Sequence, residues 1–140
     1  MRIALGLLYV HFGLLKFFPD LSPAELIASQ TVSRLSLEWI DARAAMTWLG
    51  ALECAIGMGL LLNTLRRVVF YLFLFHMVGT FLPLLYLPEL MFKVAPLAPT
   101  IDGQYILKNF VLLAAGWAVL APELPPASRA DVSPPREESR

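Results

Sequence analysis

Four ionisable side chains lie within stretches of the sequence that are otherwise apolar: Lys16, Glu53, His76 and Lys108. Ionisable groups at membrane depth are costly, and they usually face a protein interior or a water-filled cavity. A carboxylate, two amines and an imidazole, with Tyr105 three residues before Lys108, could hold a quinone head group or pass protons. We therefore predict a polar intramembrane pocket formed by these five residues.

The same residues also have a purely structural interpretation. Charged side chains in membrane helices can hold a bundle together without any ligand. For Glu53 and its lysines both interpretations stay open, and for a histidine such as His76 the structural one is the commoner. The spacing names no certain cofactor; a quinone is the candidate.

The composition indicates that these side chains belong to a membrane domain. The chain has 140 residues, of which 58% are apolar and 16% are charged, and its mean hydropathy is +0.66. Soluble domains are about 45–50% apolar and about 25% charged. A helix needs roughly 17–25 residues to cross a bilayer core. Four apolar segments approach that length: residues 3–18, 44–62, 68–87 and 106–120.

We therefore predict an all-α fold, in which residues 1–121 form an integral membrane four-helix bundle. Residues 122–140 are rich in proline and charge, so they should form a disordered tail. The lipid bilayer is the first partner that this fold implies.

Charge and cysteine content exclude several other classes. Eleven basic residues balance eleven acidic ones, so no basic excess exists for binding nucleic acid. The single cysteine, Cys54, excludes an intramolecular disulfide, a thiolate zinc site and an iron–sulfur cluster held by this chain alone. We expect no metal site. Any redox chemistry would need a bound cofactor or a partner protein.

Helical spacing predicts which faces of the first two spans are packed. On the first span one face carries Gly6, Tyr9, Gly13, Lys16 and Asp20. On the second span one face carries Met46, Gly50, Glu53, Gly57 and Leu60, and the far side carries the small residues Ala51, Ala55 and Gly59. We expect both sides of the second span to be packed, and we expect Lys16, Glu53 and Lys108 to pair.

The third span contains a proline. Pro83 should kink this helix, and the carbonyl groups that it frees would need partners such as Thr80.

Basic residues predict the orientation. The shortest connection contains Arg66 and Arg67 and no acid, so it should face the cytoplasm together with both termini. The two long connections then lie outside. The first begins with Ser22 as a helix cap and Glu25 as its capping-box partner, and it leads to short surface helices with Trp39 at headgroup depth. The second, residues 88–104, should fold back as an ordered lid.

Four stretches resemble the DoxX-like family of small four-helix bacterial membrane proteins. They are residues 13–19 (GLLKFFP), 52–61 (LECAIGMGLL), 79–84 (GTFLPL) and 99–109 (PTIDGQYILKN), and the last two are similar to an uncharacterised branch of that family. The resemblance implies four spans in the bacterial inner membrane. It also implies that Lys16, Glu53 and Lys108 are functional candidates.

Some members of the DoxX-like family are tied to quinone-linked sulfur oxidation or to membrane redox complexes, and many have no assigned activity. A shared fold does not transfer an activity. We therefore expect a small subunit or accessory of a membrane redox or quinone-linked system, with a redox protein as its partner. Whether it is an enzyme stays open.

The alternative is a non-enzymatic membrane scaffold or assembly partner, and a homo-oligomer is also open. A solute transporter is less favoured because no inverted repeat is visible.

Overall fold

The computed structural model describes residues 1–22, 25–36 and 39–121. The predicted tail, residues 122–140, and Pro23 and Ala24 of the predicted capping box lie outside the described residues. The described chain is mostly helical. Its helices are α1 (Arg2–Leu15), α2 (Glu25–Leu35), α3 (Ala42–Leu62), α4 (Arg66–Phe81), α5 (Pro83–Tyr86), α6 (Pro88–Met91), α7 (Ile101–Leu107) and α8 (Asn109–Leu120). Two short strands, β1 (Phe92–Val94) and β2 (Ala98–Pro99), pair antiparallel between α6 and α7.

Three helical segments are long and apolar enough to cross a membrane: Ala42–Leu62, Arg66–Tyr86 and Ile101–Leu120. The first helix, Arg2–Leu15, is apolar but has only 14 residues. At helical rise it is about 21 Å long, against a hydrocarbon core of about 30 Å. The fold is therefore compatible with a multi-pass membrane protein.

Glycines bring α1 and α3 into close contact. A Cβ atom on Gly57 would lie 2.7 Å from the Val10 nitrogen and 2.8 Å from the Gly6 carbonyl oxygen. A Cβ atom on Gly13 would lie 2.9 Å from the Gly50 carbonyl oxygen. No side chain fits at these distances, so the glycines allow the two backbones to approach directly.

The predicted packed faces of α1 and α3 are confirmed except at one end. Gly6, Tyr9, Gly13 and Lys16 are buried, whereas Asp20 is exposed. On α3 all five residues of the predicted face are buried.

The second packed side that we predicted for α3 is wrong at two of its three residues. Ala51 and Ala55 are exposed, because α3 contacts α1 through its glycine face instead. Gly59 does face a neighbour, since a Cβ atom there would overlap Cγ2 of Val69 on α4.

The second long connection folds into an ordered unit around a small apolar core of its own. Ile27, Leu87, Met91 and Ile106 are buried together in this core. Thr100 caps α7, because its hydroxyl accepts a hydrogen bond from the Gly103 N–H at 3.0 Å. The connection therefore packs α6 and α7 against α2.

The regular hydrogen bonding of α4 is interrupted just before Pro83. The helix stops at Phe81, and Pro83 begins the one-turn helix α5. Pro83 has no N–H that could donate to the Gly79 carbonyl. That carbonyl accepts a hydrogen bond from the Leu82 N–H at 3.3 Å instead. The Thr80 hydroxyl donates to the His76 carbonyl instead, at 2.9 Å. Our expected role for Thr80 is therefore wrong, because the backbone itself supplies the partner.

Four arginines donate to carbonyl oxygens at or just beyond the C-terminal ends of helices. The last carbonyls of a helix lack partners within the helix, and cationic groups are favourable near them. The four contacts join Arg2 to Leu60, Arg34 to Tyr86, Arg43 to Phe17 and Arg66 to Val119. Long-range arginine caps therefore tie α1, α2, α3, α4, α5 and α8 together.

We expect Gly57→Ala to lower the free energy of unfolding by about 1–3 kcal/mol, because the new methyl group overlaps the backbone of α1. Gly79→Ala is the matched control, since a Cβ atom at Gly79 would meet no described atom within 4 Å. Both variants would be unfolded in detergent micelles and followed by circular dichroism. An equal loss in both would contradict the close packing of α1 and α3.

We expect the contribution of Glu89 to stability to disappear in acid. Glu89 accepts a hydrogen bond from Arg34 at 2.7 Å. The pKa of Glu89 is lowered, first by a hydrogen bond from its own backbone N–H and then by Arg34. A carboxyl group with a lowered pKa stabilises the fold fully above its ordinary pKa, and this contribution is lost as the pH falls through the lowered value.

The measurement is the melting temperature of the native protein and of Glu89→Gln across this pH range. The native protein should melt higher at neutral pH, and the two curves should converge on acidification. Arg34→Gln should keep part of its gap in acid, because it also removes the hydrogen bond to the Tyr86 carbonyl, which does not depend on the charge of Glu89. A gap between the native protein and Glu89→Gln that persists in strong acid would contradict the assignment.

Candidate functional site

A continuous chain of polar side chains runs through the buried contact of α1, α3 and α4. The Lys16 ammonium donates to Oε2 of Glu53 at 2.6 Å. Oε1 of Glu53 lies 2.9 Å from Nε2 of His76, and Nδ1 of His76 lies 3.2 Å from the Tyr9 hydroxyl. The exposed fractions are 5% for Lys16, 6% for Glu53, 8% for His76 and 3% for Tyr9. We call these four residues the polar chain.

The packing of α1 against α3 positions the two charged ends. Lys16 is the C-terminal cap of α1. A Cβ atom on Gly50 would lie 3.1 Å from Cβ of Lys16, so a glycine at position 50 leaves room for the lysine stem. Glu53 follows Gly50 by three residues on the same buried face of α3.

His76 packs against Tyr9, which in turn packs against Phe73. Its ring meets the ring of Tyr9 edge to face, with centroids 5.3 Å apart. The Tyr9 ring also meets Phe73, one turn before His76 on α4, at 6.0 Å. Apolar packing therefore fixes the orientation in which the histidine nitrogens reach Glu53 and Tyr9.

The structure brings together three of the five residues that we predicted for the pocket: Lys16, Glu53 and His76. Tyr105 is half-buried and lies within range of the Glu53 charge. The described residues show no hydrogen bond between Tyr105 and the polar chain.

The expected pairing of Lys108 with Glu53 is not present. Lys108 is exposed, and the ion pairs of the described residues do not include it. The physical reason is its place at the junction of α7 and α8, on the side opposite to the buried Ile106. His76 takes the second carboxylate oxygen instead.

Tyr9 belongs to the polar chain, although sequence reasoning did not assign it to the pocket. It lies seven residues before Lys16 on the predicted packed face of α1. That spacing could have indicated it, because residues seven apart share a helix face. The sequence did not show that this face would meet His76.

The polar chain can hold and pass a proton over a short distance. All four groups can exchange a proton, and each neighbouring pair lies within hydrogen-bond distance. In the described part of the chain, no three His, Cys, Asp or Glu side chains converge in a way that could hold a metal ion. The arrangement is therefore suited to proton exchange and to donating hydrogen bonds.

A scan against protein-family models, a search of curated proteins and a search of solved structures each find no match for this chain. The function must be inferred from the contacts of the polar chain itself.

We expect Lys16→Met to destabilise the fold by about 3–5 kcal/mol, because it leaves the Glu53 carboxylate buried without its cation. Lys108→Met is the matched control and should change the free energy of unfolding by no more than about 0.5 kcal/mol, since Lys108 is exposed. Chemical unfolding in micelles measures both.

The double variant Lys16→Met with Glu53→Leu should be more stable than Lys16→Met alone, because no unpaired buried charge remains. Additive losses in the double variant would show that Lys16 and Glu53 do not interact.

Proposed function

We propose that this chain is a four-span membrane protein that binds a quinone head group beside the polar chain and exchanges a proton with it. In this proposal it is a small subunit or accessory of a membrane redox system. The observation that carries the proposal is the Glu53 carboxylate, whose two oxygens each contact a different basic group within the apolar core.

The close packing of α1 supports the count of four spans. The Gly6–Gly57 and Gly13–Gly50 contacts place α1 antiparallel to α3 along most of its length. Since α3 has the length and hydropathy of a membrane span, α1 would lie at the same depth. Local thinning of the bilayer or flanking residues would make up the missing length of α1.

A quinone fits the chemistry of the polar chain. It is soluble in lipid, and its carbonyl oxygens accept hydrogen bonds of the kind that an ammonium such as that of Lys16, which has three N–H donors, can donate. Oxidation of a quinol to a quinone releases two electrons and two protons. The electrons would pass to a partner redox protein of the membrane, the polar chain would accept one proton, and water would accept the other.

The DoxX-like resemblance and the cellular location are part of the proposal. The resemblance of residues 13–19 and 52–61 supports a bacterial inner-membrane protein, and Arg66 and Arg67 support cytoplasmic termini. Under this orientation Lys16 lies in the outer half of the bilayer, so the polar chain would serve a quinone in that half.

The test is binding of decylubiquinone to the purified protein in detergent micelles. We expect saturable binding, and we expect His76→Phe to weaken it about tenfold, because the hydrogen bonds that position Glu53 and Tyr9 beside the site are lost. Lys108→Gln is the control and should bind as the native protein does. Circular dichroism and unfolding curves establish that each variant is folded.

Absence of saturable binding to the native protein would overturn the quinone proposal. If His76→Phe also lost a co-purifying membrane protein under these conditions, the scaffold or assembly role would be favoured instead.

A further inference from the structure

Hydrogen-bond chemistry restricts the protonation states of the polar chain. A lysine ammonium has donors only, and an ionised carboxylate has acceptors only. At 2.6 Å the Lys16–Glu53 contact is therefore a charge-assisted bond that Glu53 accepts. The second oxygen of an ionised Glu53, 2.9 Å from His76, can only accept a hydrogen bond, so Nε2 carries the N–H.

A neutral imidazole has one N–H group, so a proton on Nε2 leaves Nδ1 as an acceptor. Tyr9 is the group that the structure places against Nδ1, at 3.2 Å. With the histidine neutral, the charges of Lys16 and Glu53 cancel and the buried cluster has no net charge. A second ring proton would leave an uncompensated charge in a nearly dry core, which is costly.

We propose that Tyr9 is a positioning residue, whose hydroxyl donates to Nδ1 and holds His76 as the neutral tautomer protonated on Nε2. This tautomer makes Nδ1 the proton-accepting atom of the polar chain. When a proton reaches the Tyr9 oxygen, the phenolic hydrogen passes to Nδ1, and the resulting imidazolium lies between Tyr9 and Glu53. The relay step rests on the proposed function, whereas the tautomer does not.

The chain offers a clean test because it contains two histidines. The other one, His11, is exposed, so His11→Gln leaves His76 as the single reporter. Nitrogen NMR of this variant, labelled with ¹⁵N-histidine, distinguishes a protonated ring nitrogen from a bare one. At neutral pH we expect a protonated Nε2 and a bare, hydrogen-bonded Nδ1.

Tyr9→Phe should move the Nδ1 signal toward that of a bare nitrogen without a hydrogen bond. Tyr71→Phe, which alters an exposed tyrosine on α4, should leave both signals unchanged. The native tautomer is read without any change at Tyr9, so poor folding of Tyr9→Phe does not prevent the test. A proton on Nδ1, a proton on both nitrogens, or an Nδ1 signal that does not respond to Tyr9→Phe would overturn the inference.

The two proposals can fail separately. The expected tautomer without decylubiquinone binding would overturn the quinone function and leave the role of Tyr9 intact. Quinone binding with a proton on Nδ1 would overturn the role of Tyr9 and leave the quinone function intact.

Discussion

α1 and α3 lie close enough for their backbones to touch, and the buried polar groups can meet only because of this contact. Gly6, Gly13, Gly50 and Gly57 remove the side chains that would hold the two helices apart. Only at this separation does Lys16, at the end of α1, reach Glu53 in the middle of α3. The Lys16–Glu53 ion pair therefore depends on the glycine contact between α1 and α3.

The buried ion pair explains why α4 must carry a polar group. Lys16 satisfies one oxygen of Glu53, and the other oxygen would be costly if it were left without a donor. His76 supplies that donor, and its remaining nitrogen in turn needs Tyr9. One buried carboxylate thus has a partner on α1 and another on α4, which both orients α4 and creates the proton-exchanging chain.

Helical spacing predicted much of this arrangement. The buried faces of α1 and α3 follow from the positions of the glycines, and the Lys16–Glu53 pair follows from those faces. Helical spacing predicted the wrong environment for Lys108. Its long side chain was expected to angle inward to Glu53, but the break between α7 and α8 turns it outward. Helical spacing also failed for Ala51 and Ala55, since small residues indicate where a helix could approach but not whether one does.

The helical, lipid-compatible character of this protein and the faces along which α1 and α3 pack could be predicted from the sequence, because both depend on residue type and helical period. Which basic group contacts the second oxygen of Glu53 became clear from the three-dimensional arrangement of the helices. That choice depends on the relative rotation and depth of α4 and α7, which no periodicity within either helix specifies. Because His76 rather than Lys108 contacts this oxygen, the Lys16–Glu53 ion pair extends into a polar chain that ends at Tyr9.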